Sequence, residues 1–177
     1  MLMFVCVLGR APGTVIYRDI KQHKGAVTVP GIVIFRFDGS IFFGNTAFLR
    51  EQLLLAEKNS CKDTALYAIV LDCSAITAID YSGVLAMKEI IEYYRDRKVS
   101  MFTCHTYKYL SNDVIVLTLA NLDNNALRTF QVCGLIKLIG TDHFFWRVHD
   151  AVLALQSHRL AVHMPPLGPP PRMYHNI

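Results

Sequence analysis

Leu66, Ala68, Ile69, Val70 and Leu71 make a nearly unbroken apolar run, the mark of a strand covered on both faces, and Asp72-Cys73-Ser74 closes it with residues that favour turns. After a short loop, Val84, Met87, Ile91 and Tyr94 recur at three- and four-residue spacing, which predicts a helix with one stripe against a core. Asp80 and Ser82 stand where that helix begins, with acceptor side chains suited to its unpaired N–H groups, and Gly83 leaves the approach uncrowded. A buried strand feeding an amphipathic helix through a polar turn is an α/β unit.

The same patterning continues on either side. Gly31 to Phe37 reads as a strand, Asp38-Gly39 as a tight hairpin turn, and Ser40 to Phe43 as the start of a return strand. Asn45 or Thr46 is placed to cap a helix running through Lys58, with Leu49, Leu53 and Ala56 on one face. Val99 to Cys104 and Val114 to Leu119 are both strand candidates, the second being more apolar and β-branched. Either the two pair across Ser111-Asn112-Asp113, or the stretch between them is a disordered excursion. Leu122 to Cys133 predicts a helix ended by Gly134, and Asp142 to Arg159 a last helix with Phe145, Val148, Val152 and Leu155 inward. Strands alternating with helices on this scale predict an α/β fold, a small mixed sheet with helices packed against it.

The ends differ in character. Residues 1–9 are apolar but far too short to cross a bilayer, and 161–177 hold Pro165, Pro166, Pro169, Pro170 and Pro171, which favour an extended tail.

Composition narrows the function classes. The net charge of +4 is modest, and its cations are spread along the chain without interleaved aromatics, so nucleic acid is not an indicated partner. Five cysteines without a C-x-x-C pair fit unlinked thiols in a reducing compartment. His143, His149, His158 and His163 match no zinc spacing, and no metal or cofactor is implied. P-loop, G-x-S-x-G and G-x-G-x-x-G patterns are missing, and the carboxylates Asp72 and Asp80 have no accompanying nucleophile, so the expectation is a protein that is not an enzyme.

Asp80-Tyr81-Ser82-Gly83 resembles the D-[ST]-[ST]-G turn of STAS domains, a module shared by bacterial anti-sigma-factor antagonists and the cytosolic carboxy-terminal part of SulP-type anion transporters. The resemblance extends upstream through Pro12-Gly13-Thr14, Tyr17-Arg18-Asp19, Val29-Pro30-Gly31 and Ile41-Phe42-Phe43-Gly44-Asn45, which are similar to the segment joining the last membrane helix of a SulP transporter to its STAS domain. Downstream, Leu119-Ala120-Asn121 and Gly134-Leu135-Ile136 fit the same pattern. Pro12, Gly13, Tyr17, Arg18, Pro30, Gly31 and Asn45 are therefore the family signature. On this resemblance residues 1–9 would be the last turns of a membrane helix, 10–29 the linker into a STAS domain at about 30–160, and the chain a fragment of a longer transporter. The resemblance also implies an inserted segment at about 105–118, so that Val99 to Cys104 and Val114 to Leu119 compete for one strand slot.

The resemblance implies a non-enzymatic regulatory and interaction domain of a sulfate/anion transporter, on the cytosolic side of the membrane. Its implied partners are the parent's membrane domain, other STAS domains and regulatory proteins. The alternative it implies is a free-standing, phosphorylation-switched partner-binding protein with Ser82 as phosphoacceptor in the turn Asp80, Ser82, Gly83. Against the second reading stands a bland one, in which Asp80 and Ser82 are helix caps.

Overall fold

A computed structural model describes residues 4–60, 65–99 and 115–161. Among these residues six strands form one sheet: β1 (Phe4–Arg10), β2 (Tyr17–Asp19), β3 (Ile32–Asp38), β4 (Ala68–Asp72), β5 (Val116–Ala120) and β6 (Phe144–Phe145). The helices are α1 (Thr46–Ser60), α2 (Tyr81–Val99), α3 (Asn124–Val132), α4 (Leu135–Ile139) and α5 (Val148–Ala161). Spatial order is β2-β1-β3-β4-β5-β6. β1 runs antiparallel to both β2 and β3, whereas β3, β4, β5 and β6 run parallel to one another, so the sheet is mixed as expected.

Strand alternation divides the core between two faces. Val33, Phe35, Phe37, Ile69, Leu71, Leu117 and Leu119 face Leu49 and Leu53 of α1, Met87 and Ile91 of α2, Phe130 of α3 and Leu135 of α4. Ile32, Ile34, Ala68, Val70 and Ala120 face Val148, Ala151, Val152 and Leu155 of α5. Every residue of β4 is buried, which is why its sequence is continuously apolar rather than alternating.

Four sequence expectations are corrected. Phe4 to Gly9 are not the end of a helix: they belong to β1, in register with β3 from Phe4↔Asp38 to Leu8↔Ile34, and Cys6 and Leu8 are buried. The stretch 10–29 is more than a linker, because Tyr17–Asp19 within it pairs with β1. No return strand follows Asp38-Gly39. β3 already has β1 on one side and β4 on the other, so Ser40 to Phe43 have no edge left to join; Ile41 makes a parallel bridge with Ile79 instead, and Phe43–Asn45 form a 3-10 turn into α1. Asp142 to Arg159 is not one helix. Phe144 and Phe145 pair with Leu119 and Ala120, Phe144 meets Phe130 edge-on, and α5 begins at Val148.

The contested strand slot is filled by Val116–Ala120, while Val99 is the last residue of α2. The rest of the rival segment, 100–104, most of the insertion and the proline-rich tail lie outside the described residues. The short helix α4, directly after Gly134, has no counterpart among the sequence expectations because five residues carry too little periodicity to register.

Candidate functional site at the start of α2

The parallel strands β3 and β4 end on the same side of the sheet, and the loops that leave them converge on the start of α2. This is the rim where α/β sheets place their functional loops. Ile41 N–H donates to the Ala78 carbonyl at 3.0 Å, and Asp80 N–H donates to the Ile41 carbonyl at 3.1 Å, so the two loops are laced together as a short parallel ribbon.

Asp80 locks the junction. Its Oδ1 accepts the Gly83 N–H at 2.7 Å, capping α2, and its Oδ2 accepts the Phe43 N–H at 3.0 Å from the other loop. These backbone donors, Gly83 first and Phe43 second, hold the carboxyl below the ordinary aspartate range because they favour its charged form. Gly83 is required by space. A Cβ there would lie 2.8 Å from both the Ile41 carbonyl oxygen and Ile79 Cγ2.

Asn45 stiffens the loop from within. It is fully buried, its Oδ1 accepts the Phe42 N–H at 2.9 Å, and its Nδ2 donates to the Ser40 carbonyl at 2.8 Å. Expected as a helix cap, it is instead a staple across the turn that precedes α1. Around this frame the surface is aromatic, with Phe43 79% and Tyr81 77% exposed.

The predicted site residues separate into three places. Asp80, Gly83 and Asn45 meet at the α2 start, with Ser82, half-buried, as the second helical residue rather than the cap. Pro12 and Gly13 form the tip of the β1–β2 hairpin, and Tyr17 and Arg18 lie in β2. Pro30 and Gly31 precede β3 at its opposite end from the α2 start, where Gly31 holds φ +74° under the Tyr67 ring.

Asp72 and Asp80 do not act as a pair. Asp72 is buried and accepts from Asn121 Nδ2 at 2.8 Å and Ser74 N–H at 3.1 Å, whereas Asp80 has the backbone partners given above. The Asp72–Asn121 link was not anticipated, although the Leu119-Ala120-Asn121 match marked the residue: Asn121 is a non-glycine at positive φ, 57°, where the chain leaves β5. Of the histidines, His149 on α5 meets the Tyr17 hydroxyl through Nδ1 at 3.2 Å. Among the described residues no group of three His, Cys, Asp or Glu is arranged to hold a metal, and no helix is long and apolar enough to cross a membrane.

A six-stranded mixed sheet with five helices and an Asp-capped turn at the head of α2 is the architecture of a STAS domain, and the STAS domain family matches residues 23–106. The chain belongs to that family, in the form found in SulP-type sulfate and anion transporters. It is 36% identical over 155 residues to the probable sulfate transporter 4.2 of Arabidopsis thaliana, a match covering 84% of this chain and 20% of that protein. In structure it is similar to the murine Slc26a9 anion transporter in the inward-facing state (TM-score 0.68, 19% identity, 88% of this chain and 22% of that one). It is also similar to the SulP transporter STAS domain from Vibrio cholerae (TM-score 0.54, 15% identity, 80% and 94%). The chain spans about a fifth of the length of the curated relatives it matches.

Proposed function

We propose that this chain is the regulatory and interaction domain of a sulfate or anion transporter, sitting on the cytosolic side and carrying out no catalysis of its own. The observation that carries the reading is the 36% identity running through 84% of the chain to a fifth of a sulfate transporter. In this role the membrane part of the parent moves the anion. The domain contacts that membrane part and other STAS domains or regulatory proteins. The laced loops at the α2 start, with Phe43 and Tyr81 exposed on a rigid frame, suit a surface that binds a partner rather than one that transforms a substrate.

The test is a graft. The chain replaces the matching segment of a sulfate-transporter relative, and sulfate uptake is measured in a yeast strain lacking its own. Uptake well above that of the relative with the segment deleted supports the proposal. A chimera that reaches the membrane yet takes up no more sulfate than the deletion overturns it.

A phosphorylation switch at Ser82 is the second reading, favoured by the position of Ser82 in the first turn of α2, next to exposed Tyr81 and two residues after the capping Asp80. Asp80 weighs against it, because a phosphate there would meet a carboxylate that already occupies the donors of the helix start.

A further inference from the structure

Spread along the sequence, the cations of this chain look unremarkable; folded, four of them share one lobe with exposed aliphatic side chains. Arg10, Arg18, Lys21 and Lys24 are all exposed, and Asp19 is the one carboxylate between positions 10 and 28. The lobe is an ordered ribbon. Arg10 is paired on one side with Tyr17 of β2 and on the other with Val27, through Arg10 N–H to the Val27 carbonyl at 2.8 Å and Val27 N–H to the Arg10 carbonyl at 2.9 Å. Lys21 N–H donates to Asp19 Oδ1 at 2.9 Å, which fixes the turn that carries Lys21 and Lys24.

Three β-branched apolar side chains stand outward on this ribbon: Val15 at 57% exposure and Ile16 at 49%, by the hairpin tip, and Val27 at 60%, opposite Arg10. Their burial within the domain is forgone on a segment whose other exposed residues are polar, glycine or proline. Cations alone would suit any polyanion. Cations around aliphatic residues on a projecting hairpin match a surface that is anionic at the plane of its headgroups and apolar just beneath, since the side chains can enter the acyl boundary while Lys and Arg remain among the phosphates.

We propose that the 10–28 lobe seats on an anionic lipid surface, with Arg10, Arg18, Lys21 and Lys24 at headgroup level and Val15, Ile16 and Val27 inserted. This holds whether or not the chain is joined to a transporter, and its test involves no transport. The full chain is mixed with vesicles of phosphatidylcholine containing about one third phosphatidylglycerol, or of phosphatidylcholine alone, and co-flotation is measured at low and high salt.

Selective binding to the anionic vesicles, falling as salt rises, is the expected result. R18Q/K21Q/K24Q should weaken the partition coefficient about a hundredfold, roughly fivefold per cation. V15S/I16S should weaken it at unchanged charge, and R128Q/K137Q, which remove exposed cations from α3 and α4, should leave it within about twofold of that of the parent chain. Circular dichroism and melting temperature establish that each variant is folded. Absence of flotation overturns the proposal, as does equal flotation with both lipids or equal loss in the α3/α4 control. Binding to an acidic peptide or RNA with no vesicle binding overturns it in favour of a different polyanion.

Discussion

The carboxylate of Asp80 joins two parts of the chain that are 37 residues apart, accepting the backbone N–H of Phe43 at 3.0 Å while its other oxygen caps α2. One side chain thereby sets the spacing between the β3 and β4 loops. It is a structural acceptor with a charge, and its charge gives it a pH signature.

Because hydrogen bonding lowers the folded-state pKa of Asp80, the stabilisation it provides is present above the unfolded aspartate pKa and is lost as pH falls through the folded one. Melting temperature should therefore decline below about pH 4, the ordinary aspartate range. Asp80→Asn keeps an acceptor but removes the titration, so its melting curve should be flatter than that of the parent across this range. Equal slopes would show that Asp80 contributes nothing to the acid limb.

Ser82 is the residue on which the structure changes the expected outcome of mutation. With Asp80 as the cap, Ser82→Ala should alter stability by no more than about 0.5 kcal/mol, whereas a capping serine would have cost about 0.5–2 kcal/mol. Urea denaturation distinguishes the two. Stoichiometric phosphate on Ser82 in cells, seen by mass spectrometry, would favour the switch reading.

Ile91 and Leu85 lie on the same helix with opposite surroundings, the first buried among α2's sheet contacts and the second exposed. Ile91→Ala should cost about 2–5 kcal/mol and Leu85→Ala less than about 1 kcal/mol in chemical denaturation. Similar losses at both positions would mean that the buried stripe of α2 is misplaced.

Gly31 combines positive φ with a close neighbour: a Cβ there would stand 2.6 Å from the Tyr67 ring, over which Arg159 stacks at 4.3 Å. Gly31→Ala should destabilise by about 1–3 kcal/mol through backbone strain and displacement of that ring. Gly25→Ala, with open space and no positive φ, is the control and should stay within about 0.5 kcal/mol.

Thiol chemistry should follow burial. Cys133 is exposed, whereas burial pushes the Cys6 thiol up to about 11 and the Cys73 thiol well above its ordinary value. Brief maleimide labelling of the folded protein near pH 7.5, read by peptide mass spectrometry, should modify Cys133 and spare Cys6 and Cys73 until denaturant is added.

Much of this architecture was legible because it rests on strong periodicity. The doubly covered strand β4, the buried stripe of α2 and the face of α1 were read from apolar spacing alone, and Asp80 and Gly83 from the demands of a helix start. The failures share a cause: they depend on which edges of the sheet are already taken. Asp38-Gly39 has the chemistry of a hairpin, but both sides of β3 were occupied by strands that no local pattern could reveal. Phe144-Phe145 has too few residues to show a period of two, and its strand character comes from β5 beside it. At the site, Asn45 was visible as a signature residue, but its role as an internal staple depends on the Ser40 and Phe42 backbone being folded around it.

The position of β1 governs where this protein can be cut. The segment matched by the family, 23–106, contains β3, α1, β4 and α2 but excludes β1 on one flank and β5 on the other. A recombinant piece with those limits would leave a row of unpaired amide and carbonyl groups along each outer side of β3 and β4, on two highly apolar strands. Such rows are templates for adding strands from other molecules, and the piece is expected to form insoluble assemblies. The smallest soluble unit has to reach from Phe4 through α5, so that the first strand seals one flank and the segments after α2 seal the other.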